Sequence, residues 1–253
     1  MKSIFNLALL FRIAIVTSLL IAFPAGDARA DRRSFTNTYE YSTVPEGKTA
    51  LELWSTQGRR TWDASSPQFY EQILEIEHGL TDHWDIAYYT VLSQVAGDET
   101  TSEPLHLDEV KLETRYRLGD RGEWPVDVLL YLELSKHFAE SHYGIEGKVI
   151  VARDFDKLLV AVNAISEIVV GNDAAETEPE LAFAAGASYE VHPKLRLGAE
   201  TWGAREEGVN ILSAGPAISA APSSNLWVTV TAGFGLTDAA DKFSARAIIG
   251  IEL

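Results

Sequence analysis

Glu133-x-Ser135-x-His137 is the best candidate in this sequence for catalysis, because an acid, a hydroxyl and an imidazole recur at every second position. The chemistry would be hydrolysis, with His137 activating the Ser135 hydroxyl as a nucleophile. Residues two apart on an extended chain share a face but stand about 6.5–7 Å apart, beyond hydrogen-bond reach unless a neighbouring strand helps. That spacing favours polar lining of a cavity over catalysis, and no catalytic residue is assigned. His137, Glu140 and His142 are metal-ligating types at irregular spacing. The acidic stretches Asp98-Glu99 and Asp173, Glu176, Glu178 carry carboxylates without a compact calcium-loop spacing. No Gly-rich loop could cradle a phosphate, so neither a metal nor a cofactor is expected.

The elements that must position these side chains are strands. From Glu109 to Leu118 the apolar or small positions Val110, Leu112, Thr114, Tyr116 and Leu118 alternate with Glu109, Lys111, Glu113, Arg115 and Arg117. Period-2 alternation puts the two sets on opposite faces of one strand. Val126 to Leu134 repeats the pattern, opposite Asp127, Leu129, Tyr131, Glu133, Ser135 and His137. Strand-like segments recur near 36–43, 48–56, 69–78, 83–93, 107–118, 124–136, 141–153, 157–168, 180–191, 194–203, 209–219, 225–236 and 243–253. Val209 to Thr237 has no charge and the length of a membrane helix, but Gly215-Pro216 and Pro222 break it, so two strands joined by a turn are expected.

Short turns at 45–47, 79–82, 154–156 and 192–193 interleave with longer polar loops around 57–68, 94–106, 171–179 and 204–208. That rhythm predicts an all-β fold, a closed antiparallel up-and-down transmembrane β-barrel. Hydrocarbon offers backbone groups no partner, so a membrane sheet must close on itself, with apolar residues outside and ionic ones free to face the lumen. Such barrels take an even number of strands, so one of the thirteen segments must not span. Twelve strands are expected, with ten or fourteen the alternatives. Segment 36–43, short and weakly apolar, and 209–219, interrupted by Gly215-Pro216, are the two candidates to fail.

The lumen-facing set predicted by parity is Glu71, Glu75, Glu77, Glu109, Lys111, Glu113, Arg115, Arg117, Glu133, Glu146, Lys148, Arg196 and Glu200, with Lys194 beside it. Small residues, among them Ala182, Ala184, Gly186, Ser188, Gly198, Thr229, Thr231 and Gly233, predict a lopsided gap on the opposite side. Aromatic girdles mark the two interfaces of a membrane barrel. Trp84, Tyr116, Trp124 and Tyr189 are expected at the short-turn end, and Tyr70, Phe234 and Phe243 at the other.

Across 253 residues the formal charge is -16, which disfavours a nucleic-acid partner because phosphate binding needs a basic face. Without cysteines there is no disulfide framework and no thiolate metal site. Lys2 and Arg12, an apolar run from Ile13 to Phe23, and Ala28-Arg29-Ala30 predict a secretory signal peptide over 1–30, cut after Ala30. The barrel would then occupy 31–253 and be more acidic than the whole chain, since the peptide carries three basic residues and one acidic one.

The last segment, Phe243-x-Ala245-x-Ala247-x-Ile249-x-Ile251-x-Leu253, resembles the C-terminal strand of bacterial outer-membrane β-barrel proteins, although those usually end in an aromatic residue. Together with the leader and the strand rhythm, it makes 31–253 similar to porin-like and transporter-like barrels. The resemblance implies the outer membrane of a Gram-negative bacterium, periplasmic termini, and lipid and lipopolysaccharide as surroundings. It further implies recognition by the barrel-assembly machinery and passive passage of small solutes. The acid surplus suggests a preference for cations. The rivals are a plugged structural or recognition barrel acting through external loops, a lipid hydrolase using Ser135 and His137, and a soluble lipocalin-like barrel.

Overall fold

The computed structural model describes residues 32–63, 65–97, 101–139, 142–171, 179–206 and 208–253. The leader 1–30 and the acidic residues Asp98, Glu99, Glu140, Asp173, Glu176 and Glu178 lie outside them. Twelve strands form the fold. They are β1 (Thr49–Arg59), β2 (Gln68–Thr81), β3 (Trp84–Ala96), β4 (Glu103–Leu118), β5 (Asp127–His137) and β6 (His142–Phe155), followed by β7 (Leu158–Gly171), β8 (Glu180–His192), β9 (Leu195–Glu206), β10 (Val209–Ala220), β11 (Leu226–Gly235) and β12 (Phe243–Glu252).

Each strand pairs antiparallel with its sequence neighbours, and β1 pairs with β12, from Ala50↔Glu252 to Arg59↔Phe243. Closure leaves no free edge. Among the described residues no helix is long and apolar enough to cross a membrane, and Val209–Thr237 contains the strands β10 and β11. The Gly215-Pro216 interruption is visible as a gap in the β10–β11 ladder between Ala214↔Phe234 and Ala217↔Thr231, because proline has no N–H to give. β10 spans nevertheless, since Gly215 and Pro216 still pair with Glu200 and Ala199 of β9.

Connections of two residues join β2 to β3, β6 to β7 and β8 to β9 at one end. In one of them Asp156 has φ 57°, the left-handed conformation a tight hairpin demands and aspartate tolerates. The rhythm has two exceptions, a long connection at 119–126 on the short-turn side and a short one between Glu206 and Val209 on the other. Trp124 lies in the former, so it caps β5 from a connection rather than opening a strand.

The outer surface is apolar. Leu74, Leu112, Leu132 and Ile249 are exposed in mid-strand, and Ile86 and Leu197 nearer the short-turn end, together forming an apolar band larger than soluble proteins leave bare. Trp84, Tyr116, Trp124 and Tyr189 are exposed at the short-turn end. Tyr70, Phe234 and Phe243 take outward positions at the other end, where Phe243 packs on Phe234 and on Trp62 of the β1–β2 loop.

The remaining predicted segment, 36–43, is not a strand of the wall. Residues 32–44 run inside the barrel before the chain leaves the lumen at 45–48 to begin β1, and Phe35 and Tyr41 are completely buried there. A stretch of Ser, Thr and Asn has too little apolar surface for a lipid-facing strand, whereas its many donors suit a polar lumen.

Candidate functional site in the barrel lumen

All thirteen residues assigned to the lumen by parity take inward-facing positions on β2, β4, β5, β6 and β9. Lys194 instead sits in the β8–β9 turn, where its Nζ donates to the Pro222 carbonyl at 3.1 Å. Most of the inner ions are paired. Arg115 binds Asp85 through Nε and Nη2 at 3.0 and 2.7 Å, reaches Glu77 at 2.7 Å, and lies 3.1 Å from Glu113. Lys111 bridges Glu133 at 3.0 Å and Glu109 at 3.3 Å, while Lys148 pairs with Glu146 at 2.8 Å and rests 3.9 Å from the centre of the Tyr131 ring. Tyr131 donates to Glu133 at 2.6 Å, and Tyr89 donates to Glu113. Paired and hydrogen-bonded in this way, charges can be held away from bulk water, where lone ones could not.

The register reveals an order that no single strand contains. Glu113 stands directly opposite Glu133, Glu133 opposite Glu146, Glu146 opposite Glu167, and Glu167 opposite Glu180. In the other direction the row continues through Ala87, Glu77 and Ala50 to Glu252. Because barrel strands tilt, a row across the strands climbs the wall as a helix. This one starts at the short-turn end with Glu252 and reaches the long-loop end at Glu180. Directly opposed like charges are destabilising, so stability alone gives no reason for such a row.

The small-residue side is not an empty gap. Residues 32–44 fill its short-turn half, which corrects the expectation drawn from residue size. The ring of Phe35 lies 2.6–2.8 Å from where a Gly186 side chain would begin. Ser219 and Thr229 both donate to the Arg33 carbonyl. The Glu200 carboxylate accepts the backbone N–H groups of Thr36, Asn37 and Thr38 at 2.9–3.0 Å, the hydroxyls of Thr36 and Thr38, the Asn37 amide, and Thr231 Oγ1 at 2.6 Å. Asn163 exchanges two hydrogen bonds with the Tyr39 backbone, at 2.7 and 2.9 Å. Where the segment leaves the lumen, Val44 and Pro45 pass so close to Gly79 that any side chain there would strike their carbonyl oxygens.

Arg33 joins this plug to the ionic wall. Its guanidinium lies 3.2 Å from Glu52, 3.5 Å from Glu77 and 3.8 Å from Glu75, and 4.7 Å from the centres of the Tyr39 and Trp54 rings. Each of these three glutamates can place one oxygen within 4.8 Å of the others. The geometry would suit a cation, and Arg33 supplies one.

Towards the long-loop end the lumen stays open as a cavity of about 410 Å³. Thr36, Asn37 and Tyr39 of the plug form part of its lining, with Glu109, Lys111, Glu133, Glu146 and Lys148 on one wall and Ile165, Ala182, Ala184, Trp202 and Ile211 on another. Of the candidate triad, Ser135 Oγ has no hydrogen-bond partner, and His137 is engaged with Glu109 at 3.1 Å.

No protein-family model matches this chain, and no curated protein matches it. Solved structures do. An outer-membrane channel from Pseudomonas putida F1 superposes with a TM-score of 0.68 over 87% of this chain and 100% of its own, at 12% identity. This chain has the fold of outer-membrane channels and porins. The NanC porin matches with a TM-score of 0.56 at 8% identity, over 80% of this chain and 100% of its own. The KdgM porin matches at 0.55 and 10% identity, over 80% of this chain and 97% of its own, and one of its structures is a complex with disordered oligogalacturonate. The porin-like resemblance read from the last strand and the turn rhythm therefore extends to the closed barrel.

Sequence reasoning missed the plug and the glutamate row. The plug had a signal, since a polar Ser34–Ser42 stretch precedes strands whose inward positions are unusually small. The row had none, because its members lie on separate strands and only the register brings them together.

Proposed function

We propose that this protein is a passive channel for small solutes in the outer membrane of a Gram-negative bacterium, with a preference for cations. The observation that carries the reading is the cavity of about 410 Å³ kept open at the long-loop end of a closed barrel, beside a wall with more acids than bases. Acidic linings raise the local concentration of cations and repel anions. The apolar outer band and the aromatic residues at both strand ends fit a bilayer and its interfaces. The leader 1–30 would direct export, the short-turn end and both termini would face the periplasm, and the last strand would be read by the assembly machinery. Lipid and lipopolysaccharide would cover the outer face. In a planar bilayer under a tenfold KCl gradient, the reversal potential should take the sign of potassium permeation. A reversal potential of the chloride sign would refute the preference.

The plug favours a second reading, a barrel that is closed at rest and acts through its external loops. Shortening the external loops around 94–106 or 171–179 would then abolish partner binding, and no conductance would accompany the intact barrel. A hydrolase finds less support, since His137 is held by Glu109 rather than by Ser135.

A further inference from the structure

Glu52, Glu75 and Glu77 converge on Arg33 of the plug. Glu52 on β1 stands directly opposite Glu75 on β2, and Glu77 is the next residue on the same face of β2. Like charges set opposite one another destabilise a sheet, so packing alone gives no reason for the group. Glu52 accepts a hydrogen bond from Trp54 Nε1 at 2.9 Å, and Glu77 accepts one from Arg115 Nη2 at 2.7 Å. Glu75 has no such support. It is completely buried, and among the described residues neither of its oxygens has a hydrogen-bond partner.

A buried carboxylate left in that state is costly, and Arg33 relieves it loosely. The guanidinium stays 3.8 Å from Glu75 and 3.5 Å from Glu77, and its Nη2 makes no hydrogen bond. Among the described residues, Arg33 and Arg115 are the cations within ion-pair distance of Glu52, Glu75, Glu77, Asp85 and Glu113. Negative charge is in excess there. A divalent ion in the place of Arg33 would supply one more positive charge.

The carboxylates can also coordinate such an ion. One oxygen from each lies within 4.8 Å of the others, a spacing open to oxygens that stand about 2.3–2.6 Å from one calcium ion. Calcium takes about six to eight oxygens in flexible geometry, so three carboxylates and water can complete its shell. Beside Arg33 a cavity of about 40 Å³ is lined by Glu52, Glu77 and Glu252, with exposed Pro45 at its short-turn end. That space holds water and gives an ion its approach to the carboxylates.

We propose that Glu52, Glu75 and Glu77 form a divalent-cation site of the calcium class that Arg33 blocks, so that the ion binds as the plug withdraws. Ion and guanidinium claim the same carboxylates, and each therefore weakens the hold of the other. The site stands on the geometry of the lumen. Its consequence, a passage widened by divalent ions, rests on the channel reading.

The test is calorimetric titration of the purified full barrel in detergent with calcium chloride, alongside proteolysis of residues 33–43 by a calcium-independent protease over the same calcium series. R33A should bind calcium about tenfold more tightly than the wild-type protein, which must first release its plug. R33K keeps a cation and should stay near wild type. Glu75→Gln added to R33A should remove the gain, which separates this site from other acidic residues. In the wild-type protein calcium should speed clipping several-fold, and in E75Q it should not. The heat-dependent gel shift checks that each variant is a closed barrel. Equal calcium affinity in R33A and wild type, a gain in R33A that survives E75Q, or wild-type clipping unchanged by calcium would overturn the proposal. Conductance in KCl, measured on the same preparation, tests the channel reading separately. Calcium binding without conductance would refute the channel and leave the site standing.

Discussion

The ring of Phe35 occupies the space that a side chain at Gly186 would need, with three ring carbons within 2.8 Å of the point where it would start. One glycine on the wall and one aromatic residue on the plug are thus fitted to each other. Gly186 and Ser188 of β8, Ala217 and Ser219 of β10 and Thr229 of β11 are small inward residues where the lumen beside them is already filled by the segment before β1.

Replacing Gly186 with leucine should therefore expel the plug rather than unfold the barrel. The expected result is rapid proteolytic clipping within 33–43 in G186L, with the heat-dependent gel shift of the closed barrel retained. Equal protection of the segment in both proteins would show that the contact does not hold it.

Glu200 is the second anchor. Truncation to alanine leaves the backbone N–H groups of Thr36, Asn37 and Thr38 without their acceptor, at about 1–3 kcal/mol for each buried group left unsatisfied. Hydrogen exchange at these amides should accelerate by a factor of at least ten in E200A. E200Q keeps one acceptor oxygen and should fall between the two.

Arg33 offsets three crowded carboxylates. Breaking a buried ion pair from one side costs about 3–5 kcal/mol, so R33A should lower the temperature at which the barrel loses its compact gel mobility. Adding Glu75→Gln should recover much of that loss, because the remaining glutamates then repel one less neighbour. A double variant no more stable than R33A would mean that the cluster is relieved by water instead.

Leu132 tests the environment of the outer face, since it is 47% exposed in the middle of β5. In a bilayer an arginine there should cost about 2–4 kcal/mol, whereas a soluble barrel would tolerate it. Unfolding of L132R in lipid vesicles by titration with denaturant gives the difference directly.

Much of the wall was legible in the sequence because alternation is local. Leu112 and Glu113 differ in polarity and therefore in face, whatever the rest of the chain does. The bounds expected for β10 and β11 fall within one residue of those observed, since Gly215-Pro216 and Pro222 leave little else for Val209–Thr237 to become. Trp124 was misplaced because parity extends smoothly from Val126 backwards, while the strand itself stops where pairing with β6 ends at Asp127. What eluded sequence reasoning depends on closure. Segment 36–43 has an alternating pattern, and only the finished barrel offers it Glu200 and Asn163 as partners. The alignment of Glu113, Glu133, Glu146, Glu167 and Glu180 is likewise a property of register and tilt, invisible one strand at a time.

On the proposed reading, the lumen is a cation path narrowed by residues 32–44. The most direct measurement is single-channel conductance in 1 M KCl of the intact barrel and of one lacking 32–46, both shown to be closed barrels by gel shift. A small conductance is expected for the intact protein and a several-fold larger one, still cation-preferring, once the segment is removed. No conductance from either protein would contradict it.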